Sequence, residues 1–213
     1  MAEYKVIYFP VYGRAESTRM ALAHAKANWE DERLTGEQFG PRKAAGEFPN
    51  GQLPVLVHNG KYLNESTALL RYVGKHFGYY PADAHAAWQA DAFVDYANDF
   101  IGKLYPILMI RKDFSEAGQA EFSGHITTLV TFLNKHLEKH GKDFLAGEKL
   151  TIADFHVASI VFSYVWNDAC PGGKDFTDKA QAIVAANGAF AAWCDRMKHE
   201  LADHLASRPA AGI

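Results

Sequence analysis

Several short stretches of this chain carry side chains whose type and spacing could handle a small charged ligand. Tyr8 lies in an apolar run, Val6-Ile7-Tyr8-Phe9, which Pro10 stops and after which Gly13 allows a tight bend. In open α/β sheets ligands bind at that end of a strand, and a phenol there can donate a hydrogen bond to an anion. Arg14 follows at the start of the next helix, either adding positive potential or simply solvated. Gln52-Leu53-Pro54 puts a proline where a strand begins and its missing N–H is harmless. Glu65-Ser66 stands at a helix start, where a serine either caps the helix or offers its hydroxyl and N–H to a carboxylate. Asp91, Asp95 and Asp99 recur every fourth residue, on one helical face, and by themselves read as a solvated acidic stripe. His136 and His140 have chelating spacing, but no third ligand accompanies them and HExxH is absent, so a solvated helix end is the better reading.

The elements that would hold these groups follow from hydrophobic period and breakers. A buried strand at 6–9 leads into a helix over 14–27, then a strand of mixed polarity at 29–34, suited to a sheet edge. Residues 35–50, with Gly36, Gly40, Pro41, Gly46 and Pro49, read as irregular, with room for a short helix. A strand at 55–58, the Asn59-Gly60 turn signal and a return strand at 61–63 form a hairpin. A helix then runs to residue 77 with Leu69, Leu70 and Val73 on one face, and Tyr79-Tyr80-Pro81 breaks it as a linker. Everything beyond is helical: 84–111, 119–140, a helix opened by Thr151 with Asp154 three residues on, 178–186 and 189–206.

Composition narrows the function classes. The 213 residues are 48% hydrophobic with a net charge of −3, enough for one large domain or two modest ones. Without a Lys/Arg block, nucleic acid and anionic membrane are poor partners. No apolar run reaches membrane-spanning length. The N-terminus MAEYKVIYF lacks a basic region followed by an apolar stretch, and Cys170 and Cys194 form no CxxC, so the expected location is cytoplasmic, with both thiols reduced. Phosphate-loop, dinucleotide and GxSxG motifs are missing.

The segment YFPVYGRAESTR resembles the N-terminal signature of the tyrosine-type cytosolic glutathione transferases, nearest the Sigma class and then Pi or Mu. LTIADF at 150–155 is similar to a recurring segment of the same family's helical domain. The likeness spans nearly the whole chain. It implies an α/β thioredoxin-like N-terminal domain, 1–80, that binds glutathione, and an all-α helical C-terminal domain, 81–213, that lines the electrophile site and dimer interface. It implies a cytoplasmic homodimer that conjugates the glutathione thiolate to small hydrophobic electrophiles, with glutathione as co-substrate and no metal. The alternatives are a prostaglandin-type isomerase using glutathione, or a ligand-carrier or structural relative; the short 112–118 connection, without the insertion of the lens relatives, favours the enzyme.

By the same resemblance Tyr8 hydrogen-bonds the glutathione sulfur, with Arg14 beside it. Leu53, before a Pro54 expected to be cis, bonds the cysteinyl backbone, and Ser66 binds the γ-glutamyl carboxylate. Glu65, where Pi, Mu and Sigma relatives commonly have glutamine, pairs with the ammonium, helped by Gln52. Phe39 stands where a tryptophan often touches the glycine end, and Lys43, or else Arg42, reaches the glycine carboxylate. Asp99, or else Asp95, reaches the partner's glutathione, and Phe48 is an exposed anchor inserted into the partner. The electrophile would meet Phe9, Tyr12, Tyr105, Leu108 and Met109.

Overall fold

A computed structural model describes residues 2–213; the N-terminal reading begins at Met1, which lies outside the described residues. Strand β1 (Tyr4–Tyr8) is buried on both faces, as its apolar run requires. It pairs in parallel with β2 (Trp29–Arg33), Tyr8 opposite Arg33, and antiparallel with β3 (Val55–His58), which turns at Asn59-Gly60 into β4 (Lys61–Leu63). The sheet order is β2-β1-β3-β4, so the apolar β1 and β3 are central and the charged β2 is an edge. Helices α1 (Glu16–His24), α2 (Gly36–Ala44) and α3 (Ser66–Phe77) complete a thioredoxin-like α/β unit. From α4 (Ala84–Tyr105) onward the chain is helical: α5 (Glu116–His140), α6 (Ile152–Ile160), α7 (Gly173–Ala185), α8 (Gly188–Glu200) and α9 (Ala202–Ser207).

The structure differs from the sequence reading in several places. Residues 36–44 form a helix despite Pro41, because Thr35 and Gln38 cap it reciprocally: the Gln38 N–H reaches Thr35 Oγ1 at 3.3 Å and the Thr35 N–H reaches Gln38 Oε1 at 2.9 Å. The helix expected over 189–206 is two, broken at Leu201, and α7 begins at Gly173, five residues before 178. Phe48 is not an exposed anchor. It is 3% exposed, stacked on Phe39 at 5.5 Å in a small core with Ile7, Leu34 and Val55 beneath the sheet.

Two features fix α6, one within the helical part and one against α3. Asp154, fully buried on α6, accepts four hydrogen bonds: Leu145 N–H and Trp193 Nε1–H on one oxygen, Thr151 N–H and Oγ1–H on the other. Gly74 on α3 lets α6 approach so closely that a Cβ there would lie 2.4 Å from Ile152 Cγ2. The connection between α4 and α5 is short: one π-helical turn, Pro106–Ile110, then α5 capped by Ser115.

Candidate active site

The chain leaves β1 at Tyr8, passes Phe9-Pro10-Val11-Tyr12 and turns at Gly13, whose φ of +45° favours glycine. A Cβ on Gly13 would stand 2.8 Å from the Tyr8 hydroxyl, so glycine is what lets the turn close over that oxygen. The same turn directs the Arg14 N–H at Tyr8 Oη, 3.3 Å away. With one lone pair so engaged, the phenolic proton is free to point elsewhere. Burial pushes the Tyr8 hydroxyl above its usual value, against the pull of the Arg14 N–H and of the Arg14 and Arg19 charges, so it remains a proton donor throughout the neutral range.

Two hollows border one another at Arg14 and Leu53, and Tyr8 lines the second of them. One, about 230 Å³ and mostly polar, is lined by Arg14, Asn50, Gln52, Leu53, Pro54, Glu65 and Ser66. The Leu53-Pro54 peptide is cis. Ser66 opens α3, and no side chain caps that helix start, so its first-turn N–H groups are open to an anion. Glu65, just before it, holds the uncommon φ of +68° for a residue with a side chain and accepts from Asn50 Nδ2 at 3.0 Å. Strain of this kind collects at binding sites.

The second hollow, about 440 Å³ and mainly apolar, is lined by Tyr8, Phe9, Val11, Gly13, Arg14, Leu53, Ile101, Tyr105, Met109, Tyr164 and Ile213. Arg14 and Leu53 border both hollows. Two π-helical turns, Pro106–Ile110 after α4 and Val161–Val165 after α6, each present one lining residue, Met109 and Tyr164.

The structure thus brings together Arg14, Gln52, Leu53, Pro54, Glu65 and Ser66 on one side and Tyr8, Phe9, Tyr105 and Met109 on the other. It does not bring in Leu108, which is fully buried in the core, nor Tyr12, whose ring is covered by the Arg208 guanidinium at 3.9 Å and faces a different hollow beside Trp166. Both follow from geometry: the π turn sends Met109, not Leu108, to the cavity, and the loop sends Val11 inward and Tyr12 out. Phe39 packs edge-on to Phe9 at 5.2 Å, and Lys43 lies over Phe39 at 5.7 Å, so both stand behind the site without lining it. Arg42 is bound to Glu32 and Glu47. Asp91 and Asp95 are bound to Arg71 at 2.6 and 2.9 Å; Asp99 is exposed and has no such partner among the described residues. His136 donates to the Leu145 carbonyl at 2.9 Å and is half buried, so it is less solvated than its spacing suggested.

Sequence reasoning missed Asn50, Val11, Ile101, Tyr164 and Ile213. Asn50, two residues before Gln52, had a local signal; Tyr164 and Ile213 are delivered by tertiary packing alone.

Comparison with known proteins agrees with the fold. Residues 4–75 match the family model described as "Glutathione S-transferase, N-terminal domain", and 98–198 match "Glutathione S-transferase, C-terminal domain". "Glutathione S-transferase 3" of Caenorhabditis elegans is 33% identical over 164 residues, 74% of this chain and 78% of that protein. "Glutathione S-transferase P" of Capra hircus is 31% identical over 169 residues, 76% of each. The crystal structure of a glutathione S-transferase from the hookworm Necator americanus, described as monomeric, superposes with a TM-score of 0.83 at 27% identity, covering 99% of this chain and 100% of that one.

Proposed function

The chain belongs to the glutathione S-transferase family, and from that premise we propose a tyrosine-type enzyme, Sigma-like before Pi- or Mu-like, that activates glutathione with Tyr8. It is a transferase that uses glutathione as co-substrate and joins its sulfur to hydrophobic electrophiles. In the reading offered here the polar hollow takes the tripeptide. The start of α3 and Ser66 take the γ-glutamyl carboxylate, Glu65 and Gln52 the ammonium, and the Leu53 backbone the cysteinyl unit. Phe39 and Lys43 flank the glycine end.

A free thiol has a pKa of roughly 8.5, so at neutral pH little is thiolate. The Tyr8 hydroxyl donates to the sulfur and favours the anion, and the N-terminus of α1 with Arg14 adds positive potential. The thiol proton leaves to solvent. The thiolate then attacks the electrophile held by Phe9, Tyr105 and Met109; the new C–S bond forms as the leaving group departs. Sharing Arg14 and Leu53 between the hollows holds the reactants adjacent, which makes the step effectively intramolecular.

The observation that carries this reading is the position of Tyr8 Oη, a buried donor in the wall of the apolar hollow, with one lone pair filled by the N–H of Arg14, a residue that both hollows share, and its proton unclaimed among the described residues. The domain boundary near residue 80, a cytoplasmic location and a homodimer in which Asp99 serves the partner's ammonium site belong to the same proposal; no helix among the described residues is long and apolar enough to cross a membrane. The test is a spectrophotometric conjugation assay with an aryl halide and a panel of other electrophiles, with and without glutathione. Glutathione-dependent product supports the reading, and none with any electrophile opposes it.

A further inference from the structure

Directly behind Tyr8 lies a side chain that the reaction as described does not use. Arg19, on α1, is completely buried. A guanidinium is costly to remove from water, and its placement calls for a return. Its Nε donates to Asp31 Oδ1 on β2 at 2.9 Å, and its Nη1 donates to the carbonyls of Val11 at 2.9 Å and Tyr12 at 3.2 Å. Its Nη2 has no hydrogen-bond partner among the described residues. The guanidinium carbon sits over the Tyr8 ring, 5.6 Å from its centroid.

Val11 and Tyr12 are the residues between the end of β1 and the Gly13 turn. By gripping both carbonyls, Arg19 fixes the path that ends in the Arg14 N–H, the one group among the described residues hydrogen-bonded to Tyr8 Oη. The far side of the same loop is tied independently, Tyr12 N–H to the Gly212 carbonyl at 3.0 Å. Behind Arg19 stands a charged stack. Glu16, wholly buried on α1, accepts from Arg208 and His204 at 2.8 Å each and lies 3.5 Å from Arg19 Nη1; Asp31 also binds Arg33. Replacing a whole buried ion cluster of this kind by apolar side chains is often neutral for stability, so stability alone does not call for it.

We propose that Arg19 is a positioning residue for the Tyr8 hydroxyl: through the Val11 and Tyr12 carbonyls it holds the turn that orients Tyr8, and its charge lies against the Tyr8 ring. The inference rests on the reading of Tyr8 as the sulfur ligand. The groups that bear on any pH dependence are Arg14 and Arg19 on the α1 side, Asp31 and Arg33 on β2, Glu16 on α1, His204 and Arg208 on and after α9, and Tyr105 and Tyr164 across the cavity.

The experiment is a mutant cycle on the full chain with glutathione as the probe. Arg19→Met removes the grip and the charge. Arg19→Lys keeps the charge and its pair with Asp31 but, with a single nitrogen, cannot hold both carbonyls as well, and it is the variant to read if Arg19→Met does not fold. The readouts are glutathione affinity, kcat, and the pH titration of the bound thiol by thiolate absorbance. Expected for either variant are a glutathione Kd within threefold of wild type, kcat at neutral pH down tenfold or more, and a thiol titration moved to higher pH. In a Tyr8→Phe background the same Arg19 change should cost less than twofold, because the route through Tyr8 is gone. Wild-type titration in a folded Arg19 variant, multiplying effects in the double mutant, or loss of the fold in both variants would each overturn the proposal. A Tyr8→Phe enzyme as active as wild type would instead overturn the reading of Tyr8, a distinguishable result.

Discussion

Replacing Glu16 by Gln gives a quantitative test of how the start of α1 is held. Glu16 is fully buried, between Arg208 and His204 at 2.8 Å and Arg19 at 3.5 Å. Burial alone would push its carboxyl up, but the His204 hydrogen bond and the charges of His204, Arg19 and Arg208 prevail and leave it at about 2, against an ordinary 4.5. The folded state therefore binds fewer protons than the unfolded state between those values, and stability rises with pH across that window. At roughly 1.4 kcal/mol for each pKa unit, this carboxylate contributes about 3 kcal/mol at neutral pH, with no discount for solvent because it is fully buried. By the same relation, most of the contribution is present at pH 4.5, about 1.4 kcal/mol at pH 3, and little at pH 2. Urea unfolding of wild type and Glu16→Gln, at one protein concentration and several pH values from 7 to 3, reads the difference. The expected result is a gap of about 3 kcal/mol at neutral pH that holds to pH 4.5 and is halved by pH 3. A gap independent of pH, or none at all, would refute the reasoning.

Two further outcomes concern the ligand site. Ser66→Ala should weaken glutathione binding by about 1.5–2 kcal/mol, roughly ten- to thirtyfold in Kd, the scale of one hydrogen bond to a charged group, with a smaller effect on kcat; calorimetry with an unchanged Kd would count against Ser66 as the carboxylate ligand. Asp99→Asn should weaken glutathione binding while light scattering still reports a dimer, whereas a monomeric wild type with full activity would remove the shared site altogether.

Much of this was legible in the sequence because local rules and tertiary need coincide. The apolar 6–8 run, the Pro10 stop and the bend at Gly13 place Tyr8 at the strand end without further information, and the Asn59-Gly60 turn fixes the hairpin beside Leu53. Thr151 and Asp154 announce the start of α6, although nothing local foretells that Trp193 and Leu145 complete the carboxylate's hydrogen bonds. Where the reading fell short, a contact distant in sequence or a competing local signal decided. Pro41 argued against a helix that the Thr35–Gln38 capping box nevertheless forms. Phe48 looked exposed in a Gly/Pro-rich loop, yet Phe39 from α2 covers it. Tyr12 was expected to face the electrophile, but the Arg208 guanidinium covers its ring and its neighbour Val11 lines the cavity instead. The burial of Glu16 and Arg19 has no local sign, because His204 and Arg208, far along the chain, complete the stack.

The central claim is that Tyr8 lowers the pKa of glutathione's thiol by donating to its sulfur. The direct measurement is the pH titration of thiolate absorbance for glutathione bound to wild type and to Tyr8→Phe. A lost hydrogen bond to an anion, roughly 1.5–3 kcal/mol, corresponds to a rise of about one to two pKa units in the mutant. Turnover should fall about ten- to a thousandfold while Kd stays within a few-fold. If the two proteins titrate at the same pH and turn over equally fast, Tyr8 is not the sulfur ligand.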